Sequence, residues 1–172
     1  MNHNNAVKYG ASWALLMLLA LLMLVGCGAS YRTDVGAQAL TDEVMSVLSE
    51  KDGEYYAADA ETYAVYFDEN AAYDIVQDCC IVYHSEGTNV DQFGVFRVKE
   101  GQSTEPVRRM VQEYADGQAS YLHGFASNYN QGELDKIQNV QVSVMGQYVF
   151  FSILSDADER AATDAIKAMI TQ

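Results

Sequence analysis

The sequence predicts an α+β fold in which a mostly antiparallel four-stranded sheet, made of two hairpins, carries about three main helices. Two observations lead to this fold class. Runs of β-branched and aromatic residues occur in two adjacent pairs, each interrupted by a turn sequence, which is typical of antiparallel hairpins. Segments with helical periodicity precede, separate and follow the two pairs. Because hairpins separated by helices cannot form an all-parallel sheet, we expect mainly antiparallel pairing.

Two helices are predicted before the first hairpin. The first spans residues 35–50, because its apolar residues recur at helical spacing, and Gly53 follows as a stop signal. Its apolar positions are Ala37, Leu40, Val44, Val47 and Leu48. The second is a short helix around residues 60–67, for which Asp59 is the expected N-cap.

The first hairpin is predicted from strands over residues 78–85 and 92–99. Both strands are rich in β-branched and aromatic residues, and the sequence between them contains Gly87 and Asn89, which are typical of turns. The second strand ends where Gly101 interrupts the pattern. These two strands supply half of the predicted sheet.

The longest helix is predicted to begin near Ser103 or Thr104, with Pro106 tolerated in its first turn, and to run to about Phe125. One stripe along it consists of Val107, Met110, Val111, Tyr114, Gln118, Tyr121, Leu122 and Phe125, and only Gln118 breaks its apolar character. Residues 127–137 then form a loop with a short helical turn around residues 133–137. The stripe is expected to pack on the sheet.

The second hairpin carries the clearest local signal. Val140, Val142 and Val144 alternate with polar residues, and Gly146 stands at the first position of a tight turn, which suits a type II′ hairpin. The return strand, residues 148–154, is almost continuously apolar and should therefore be central, with both faces covered.

A last helix is predicted to follow the second hairpin. Asp156 and Glu159 form the expected capping pair at its start. Ala162, Ile166 and Met169 recur at helical spacing after this pair and should face the core.

The segment before Cys27 has the plan of a lipoprotein signal peptide. Its apolar run covers residues 14–25, about 12 residues, whereas a bilayer-spanning helix needs about 20. The run closes in Leu24-Val25-Gly26-Cys27, which has the form of a lipobox. Signal peptidase II would cut before Cys27 once its thiol carries a diacylglyceryl group. A transmembrane helix and cleavage by signal peptidase I are the alternatives, and lipidation is favoured.

Three regions follow from this interpretation. Residues 1–26 are the cleaved signal peptide, residues 27–33 the lipidated N-terminus with a short tether, and residues 34–172 a single α+β domain. An extended tether of this length reaches only about 25 Å. We therefore expect the domain on the extracytoplasmic face of the cell membrane, close to the lipid that anchors it. We expect an acyl lipid on Cys27 as the only covalently attached group, and we expect no cofactor.

The charge of the chain excludes one class of partner. The formal net charge is −14 at pH 7, and Lys8 is the only charged residue before Cys27. Such a surface repels nucleic acid, so nucleic-acid binding is not expected. A cationic partner or an envelope protein is compatible with it.

Several segments carry a resemblance to a known family. They are the lipobox, the sequence Tyr-Arg-Thr-Asp-Val at residues 31–35, the strand at 93–100 before the Pro106 helix, and the hairpin sequence at 144–151 before a helix capped at Asp156. Together they resemble a family of lipoproteins from anaerobic Gram-positive bacteria, catalogued as domain of unknown function number four-three-five-eight. The resemblance covers nearly all of residues 31–170. It implies the outer face of the cytoplasmic membrane and supplies no activity.

The candidates for nucleophilic or metal chemistry are sparse. After Cys27 the only imidazoles are His84 and His123, and no serine stands in a G-x-S-x-G sequence, so acyl transfer is disfavoured. Cys80 and His84 share one strand face and could bind zinc, but the usual four-ligand spacing is absent. Cys79 and Cys80 are interpreted as two small, half-buried strand residues, with a strained disulfide between them as the alternative.

The stretch from Glu54 to Asp74 is rich in tyrosine and acidic residues. It lacks the calcium-loop spacing, so we interpret its acids as a solvated face. Two hypotheses of function remain. The favoured one is a non-catalytic interaction module near the membrane; the alternative is a small cell-wall glycan-binding protein or hydrolase that uses these carboxylates. Two carboxylates converging in a cleft would support the enzyme.

Overall fold

The structure is a computed structural model that describes residues 30–49, 55–58, 60–86 and 88–172. The predicted signal peptide, Cys27 and residues 28–29 of the tether lie outside these residues, as do Gly53 and Asp59, the predicted helix stop and cap.

One antiparallel sheet organises the described residues. Its strands are β1 (Tyr55–Ala57), β2 (Val76–His84), β3 (Gln92–Val98), β4 (Gln141–Met145) and β5 (Tyr148–Ile153). They lie in the order β1-β2-β3-β5-β4, and every neighbouring pair is antiparallel. The α+β class and both hairpins are confirmed, since β2 pairs with β3 and β4 pairs with β5.

The predicted number of four strands is wrong, because β1 adds a fifth strand at the edge of β2. Tyr55 lies opposite His84, and Ala57 lies opposite Val82. The added strand is only three residues long. Strands as short as this have too few residues for an alternating pattern to identify them in sequence.

Five α-helices occur in the part of the chain that the structure describes. They are α1 (Ala37–Val47), α2 (Ala60–Phe67), α3 (Glu105–Tyr129), α4 (Leu134–Gln138) and α5 (Asp156–Ile170). Three of them, α1, α3 and α5, have 11, 25 and 15 residues and correspond to the three main helices predicted. Helix α1 is shorter than expected at both ends, and α3 continues beyond the predicted end at Phe125. None of the described helices has the length and apolar character needed to cross a bilayer.

Helices α1 and α5 cover one face of the sheet. Leu40 and Val44 of α1, together with Ile166 of α5, pack in one buried cluster with Val95 and Phe150. Helices α2 and α3 cover the other face, where the buried cluster includes residues of the same strands that point the opposite way. This second cluster contains Phe67, Phe96, Val107, Val111 and Phe151.

Strand β5 lies between β3 and β4, and all six of its residues are buried. Its adjacent residues Phe150 and Phe151 belong to clusters on opposite faces of the sheet. This alternation explains the continuously apolar sequence, because both faces are covered by helices. The prediction of a central return strand is confirmed.

The cap of helix α5 lies one residue earlier than predicted. Ser155 is the N-cap, and its Oγ accepts a hydrogen bond from the Asp158 backbone N–H at 3.2 Å. The pair Ser155 and Asp158 therefore takes the place of the predicted pair Asp156 and Glu159. Both pairs have the same three-residue spacing, so the pattern alone does not choose between them.

The tight turn between β4 and β5 agrees with its prediction. Met145 pairs with Tyr148, which leaves a two-residue loop of Gly146 and Gln147. Gly146 has φ of 61°, whereas no described residue other than glycine has a positive φ. A positive φ at the first central residue alone is the pattern of a type II′ turn.

Candidate functional site

A groove lined by tyrosines lies on the side of the sheet covered by α2 and α3. Its rings come from four elements: Tyr56 of β1, Tyr66 of α2, Tyr83 of β2 and Tyr114 of α3. Pairing of β1 with β2 places Tyr56 directly opposite Tyr83, and residues opposite each other on adjacent strands project to the same face. Their ring centroids are 5.9 Å apart. The fifth strand, absent from the sequence prediction, thus supplies one wall of the groove.

The groove has two compartments that share Tyr66. The first has a volume of about 420 Å³ and is lined by Tyr56, Ala57, Ala58, Thr62, Tyr66 and Tyr83. The second has a volume of about 330 Å³, and its lining includes Tyr66, Asn70, Glu113, Tyr114 and Gln118. We call the two compartments together the tyrosine groove.

Two of the four rings are held in place by hydrogen bonds between side chains. The Tyr83 and Tyr114 hydroxyl oxygens lie 2.8 Å apart, and Gln92 Nε2 donates to the Tyr114 hydroxyl at 2.8 Å. Burial raises the pKa of both phenols, so both stay neutral at physiological pH. These rings form a fixed, uncharged back wall.

The other two rings offer open faces to solvent. Tyr56 is 54% exposed and Tyr66 is 50% exposed, although Tyr66 still contacts the Tyr114 ring at a centroid distance of 5.3 Å. A large aromatic ring that is half exposed beside a concave surface provides apolar contact area at a low cost in conformational entropy. The arrangement is suited to binding, with a rigid back wall and two accessible rings.

The carboxylates between Glu54 and Asp74 do not enter this groove where the structure describes them. The side chains of Asp68, Glu69 and Asp74 are exposed, and none of them lines either compartment. Glu54, Asp59 and the side chain of Glu61 lie outside the part of the chain that the structure describes. The described acids of this stretch therefore do not supply the facing carboxylate pair that a glycosidase requires.

The two candidate histidines lie in different environments. His84 is buried, its Nδ1 accepts a hydrogen bond from the Glu86 backbone N–H at 3.2 Å, and the Tyr55 ring packs against it edge-on at 4.9 Å. His123 is exposed on α3, with Ser127 Oγ at 3.5 Å from its Nδ1. His84 is therefore a structural residue of the sheet, and His123 is a surface residue of α3.

Both described cysteines are free thiols, so the disulfide alternative does not hold. Cys80 packs in the cluster under α1, whereas Cys79 packs on the opposite face, as adjacent strand residues must. Burial raises the pKa of Cys79 to about 11 and also raises the pKa of Cys80, which makes both poor nucleophiles. Among the residues that the structure describes, no group of three metal-binding side chains comes together.

A buried ionic cluster was not anticipated from the sequence. Lys136 Nζ lies 2.7 Å from Asp91 Oδ1 and 2.9 Å from Glu133 Oε2, and the Tyr55 hydroxyl donates to Asp91 Oδ2 at 2.8 Å. The Asp91 side chain is 2% exposed. Because the lysine is already paired with two carboxylates, the cluster is a structural link between α4 and the start of β3. Only the spacing of Glu133 and Lys136, three residues apart on neighbouring helical turns, gives a signal in sequence.

Comparison with known proteins identifies a family for part of the chain. The family model described as Domain of unknown function (DUF4358) matches residues 70–154. The matched segment includes Tyr83, Glu113 and Tyr114 of the groove, while Tyr56 and Tyr66 precede it. No curated protein and no solved structure matches the chain.

Proposed function

Residues 70–154 belong to the DUF4358 family, and from this premise we propose that the protein is a lipid-anchored, extracytoplasmic binding module whose ligand-contacting surface is the tyrosine groove. The family name assigns no activity. The proposal therefore rests on the anchor motif in the sequence and on the chemistry of the groove.

The anchor is supported by the sequence alone. The apolar segment at residues 14–25 ends in Leu24-Val25-Gly26-Cys27, which fits lipidation of Cys27. Two acyl chains give stable attachment because each buried methylene contributes about 0.8 kcal/mol. In this proposal the membrane lipid is a partner only through the anchor, and the groove binds a second partner in the cell envelope.

The observation that carries the binding function is the exposure of Tyr56 and Tyr66 in a concave surface backed by the hydrogen-bonded rings of Tyr83 and Tyr114. Binding hot spots are enriched in tyrosine, and buried phenols held by hydrogen bonds keep the surface preformed. We therefore propose a non-catalytic, binding role for the groove.

In-cell crosslinking tests this function with the full, anchored chain. We expect Tyr66→Ala to lose the crosslinked neighbour of the natural protein. Tyr121→Ala is the matched control, because Tyr121 is 75% exposed on α3 but lines neither compartment. If the Tyr66 and Tyr121 variants capture the same neighbour equally well, the groove is not the binding surface.

A second candidate function is the binding of cell-wall glycan. The amides of Asn70 and Gln118 and the carboxylate of Glu113 lie beside the rings of the second compartment, and such groups can hydrogen-bond sugar hydroxyls. A hydrolase that used the carboxylates of the Glu54 to Asp74 region would need two of them facing each other across one cleft. Titration of the full chain with an N-acetylglucosamine tetramer tests glycan binding, and release of reducing ends tests hydrolysis.

A further inference from the structure

The charge of the tyrosine groove has one sign. Among the described residues that line its two compartments, Glu113 is the only charged side chain. The adjoining cleft along α3 is lined by Glu113 as well as by Arg109, and the Nε of Arg109 lies 3.3 Å from a Glu105 carboxylate oxygen. The chain as a whole carries a formal net charge of −14. The potential in the groove therefore favours a cation.

The exposed rings favour the same kind of ligand. The face of an aromatic ring carries partial negative charge, so a lysine or arginine side chain is attracted to it. Tyr66 lines both compartments, and Glu113 lines the second. A cation placed against Tyr66 is thus attracted by both the ring and the carboxylate.

The shape of the groove suits an extended segment. The lining residues Met110 to Gln118 of α3 span about 12 Å at roughly 1.5 Å per residue. An extended peptide advances about 3.3 Å per residue, so this length accommodates about four residues. The first compartment continues the surface beyond Tyr66 to Tyr56 and Tyr83.

We infer that the tyrosine groove binds a lysine- or arginine-bearing extended segment of a partner protein, with the cationic side chain against Tyr66 and near Glu113. The inference rests on the proposed binding function and names the chemistry of its ligand. A second copy of this chain is a poor occupant, because two molecules with a net charge of −14 repel each other.

Titration of the full chain in detergent micelles with an end-blocked pentalysine peptide tests the inference. We expect Tyr66→Ala and Tyr66→Leu each to weaken binding roughly fivefold, since both remove the ring face and Leu keeps most of the apolar volume. Glu113→Gln should weaken binding to a similar degree. The same peptide with all five lysines acetylated should not bind, because the positive charge is lost.

Two matched variants separate the groove from general attraction to an acidic protein. Glu43→Gln removes one exposed carboxylate from α1, which covers the opposite face of the sheet, and Tyr121→Ala removes an exposed ring outside the groove. Both should bind pentalysine within about twofold of the natural protein. Circular dichroism of each variant confirms that its fold is retained.

Three results would overturn the inference. Equal binding by the Tyr66 and Tyr121 variants would indicate diffuse attraction, and equal binding of the acetylated peptide would show that charge is not recognised. Binding of an N-acetylglucosamine tetramer in place of pentalysine would assign the groove to glycan. If crosslinking in cells still depends on Tyr66 in any of these cases, the proposed binding function survives and only the cationic ligand is rejected.

Discussion

Asp158 is a single carboxylate that joins the start of helix α5 to the end of helix α1. Its Oδ1 accepts from the Ser49 backbone N–H at 2.7 Å, and its Oδ2 accepts from the hydroxyls of Ser49 at 2.9 Å and Ser155 at 2.7 Å. Burial alone would raise the pKa of Asp158, but these hydrogen bonds and the charge of Lys136 outweigh it and lower the pKa. The ionised form is therefore the stabilising one.

Replacing Asp158 by Asn should reduce the free energy of unfolding by about 2 kcal/mol at pH 7, because hydrogen bonds to a charged group are lost. A carboxyl with a lowered folded pKa stabilises the protein above its unfolded value, 3.8, and this contribution disappears as the pH falls through the folded pKa. The difference between the natural protein and Asp158→Asn should thus shrink at pH 3. Urea denaturation at both pH values measures it.

The control for this prediction is Asp164→Asn, which changes an exposed carboxyl on the same helix. It should leave the free energy of unfolding within about 0.5 kcal/mol of the natural value at pH 7. An Asp158 variant that is as stable as this control would refute the assigned role.

A second prediction at the residue scale concerns the buried ion pair of Lys136 and Asp91. Lys136→Met alone should destabilise the fold by about 3 kcal/mol, because it leaves the buried Asp91 carboxylate without its cation. Combining it with Asp91→Asn removes that unpaired charge and should recover most of the loss. A double-mutant cycle from thermal or urea unfolding gives the coupling, and simple additivity of the two changes would contradict the ion pair's importance.

At the scale of elements, the close packing of β3 between β2 and β5 depends on Gly94. A Cβ at this position would lie 2.6 Å from Phe151 Cε1 and 3.0 Å from the Cys80 carbonyl oxygen. Gly94→Ala should therefore destabilise the protein by about 2 kcal/mol, because a central strand has little room to shift. Urea denaturation measures the effect.

Gly124→Ala is the same chemical change, but we expect the opposite effect on the free energy of unfolding. Gly124 is exposed within α3, and an added Cβ would meet no atom within 4 Å. Alanine should stabilise the helix by about 0.5–1 kcal/mol, because it reduces the backbone entropy of the unfolded chain. If both glycine variants lose stability equally, the steric account of Gly94 is wrong.

The elements that sequence predicted well are those with local signals. The second hairpin combines alternating valines with Gly146 at the turn, and all of these features lie within a few residues. Strand β1 has no such pattern in its three residues, and its existence depends on pairing with β2. The apolar stripe of α3 is correct from Val107 to Tyr114, and Leu122 packs against a further buried cluster that includes Ile153, whereas Tyr121 is exposed.

At the scale of the whole molecule, the site is harder to foresee than the fold. The sequence singled out the segment that contains Tyr56 and Tyr66, but Tyr83 and Tyr114 come from a distant strand and helix. Only the antiparallel register of β1 and the packing of α3 bring the four rings together. A local pattern marks residue types, whereas a concave surface is a property of the tertiary structure.

The proposed anchor makes a prediction about the complete chain. Cys27→Ser should abolish labelling with a radioactive fatty acid and leave an uncleaved precursor in the membrane, because signal peptidase II requires the lipidated cysteine. Labelling and gel mobility check this result. Cys79→Ser is the matched control, since burial keeps that thiol unreactive, and it should be labelled like the natural protein. Labelling that persists without Cys27 would refute the lipobox interpretation.

The two ends of the described domain are joined by backbone hydrogen bonds. Arg32 N–H donates to the Ile170 carbonyl at 2.7 Å, Gln172 N–H donates to the Ser30 carbonyl at 2.9 Å, and Tyr31 and Thr171 form an antiparallel bridge between them. Mechanical tension applied to the chain at residue 30 is therefore shared with the end of α5. Helix α5 packs on the sheet face opposite the tyrosine groove. Force transmitted from the proposed membrane anchor would therefore act first on the α5 face of the sheet, and the positions of the groove rings would be affected later.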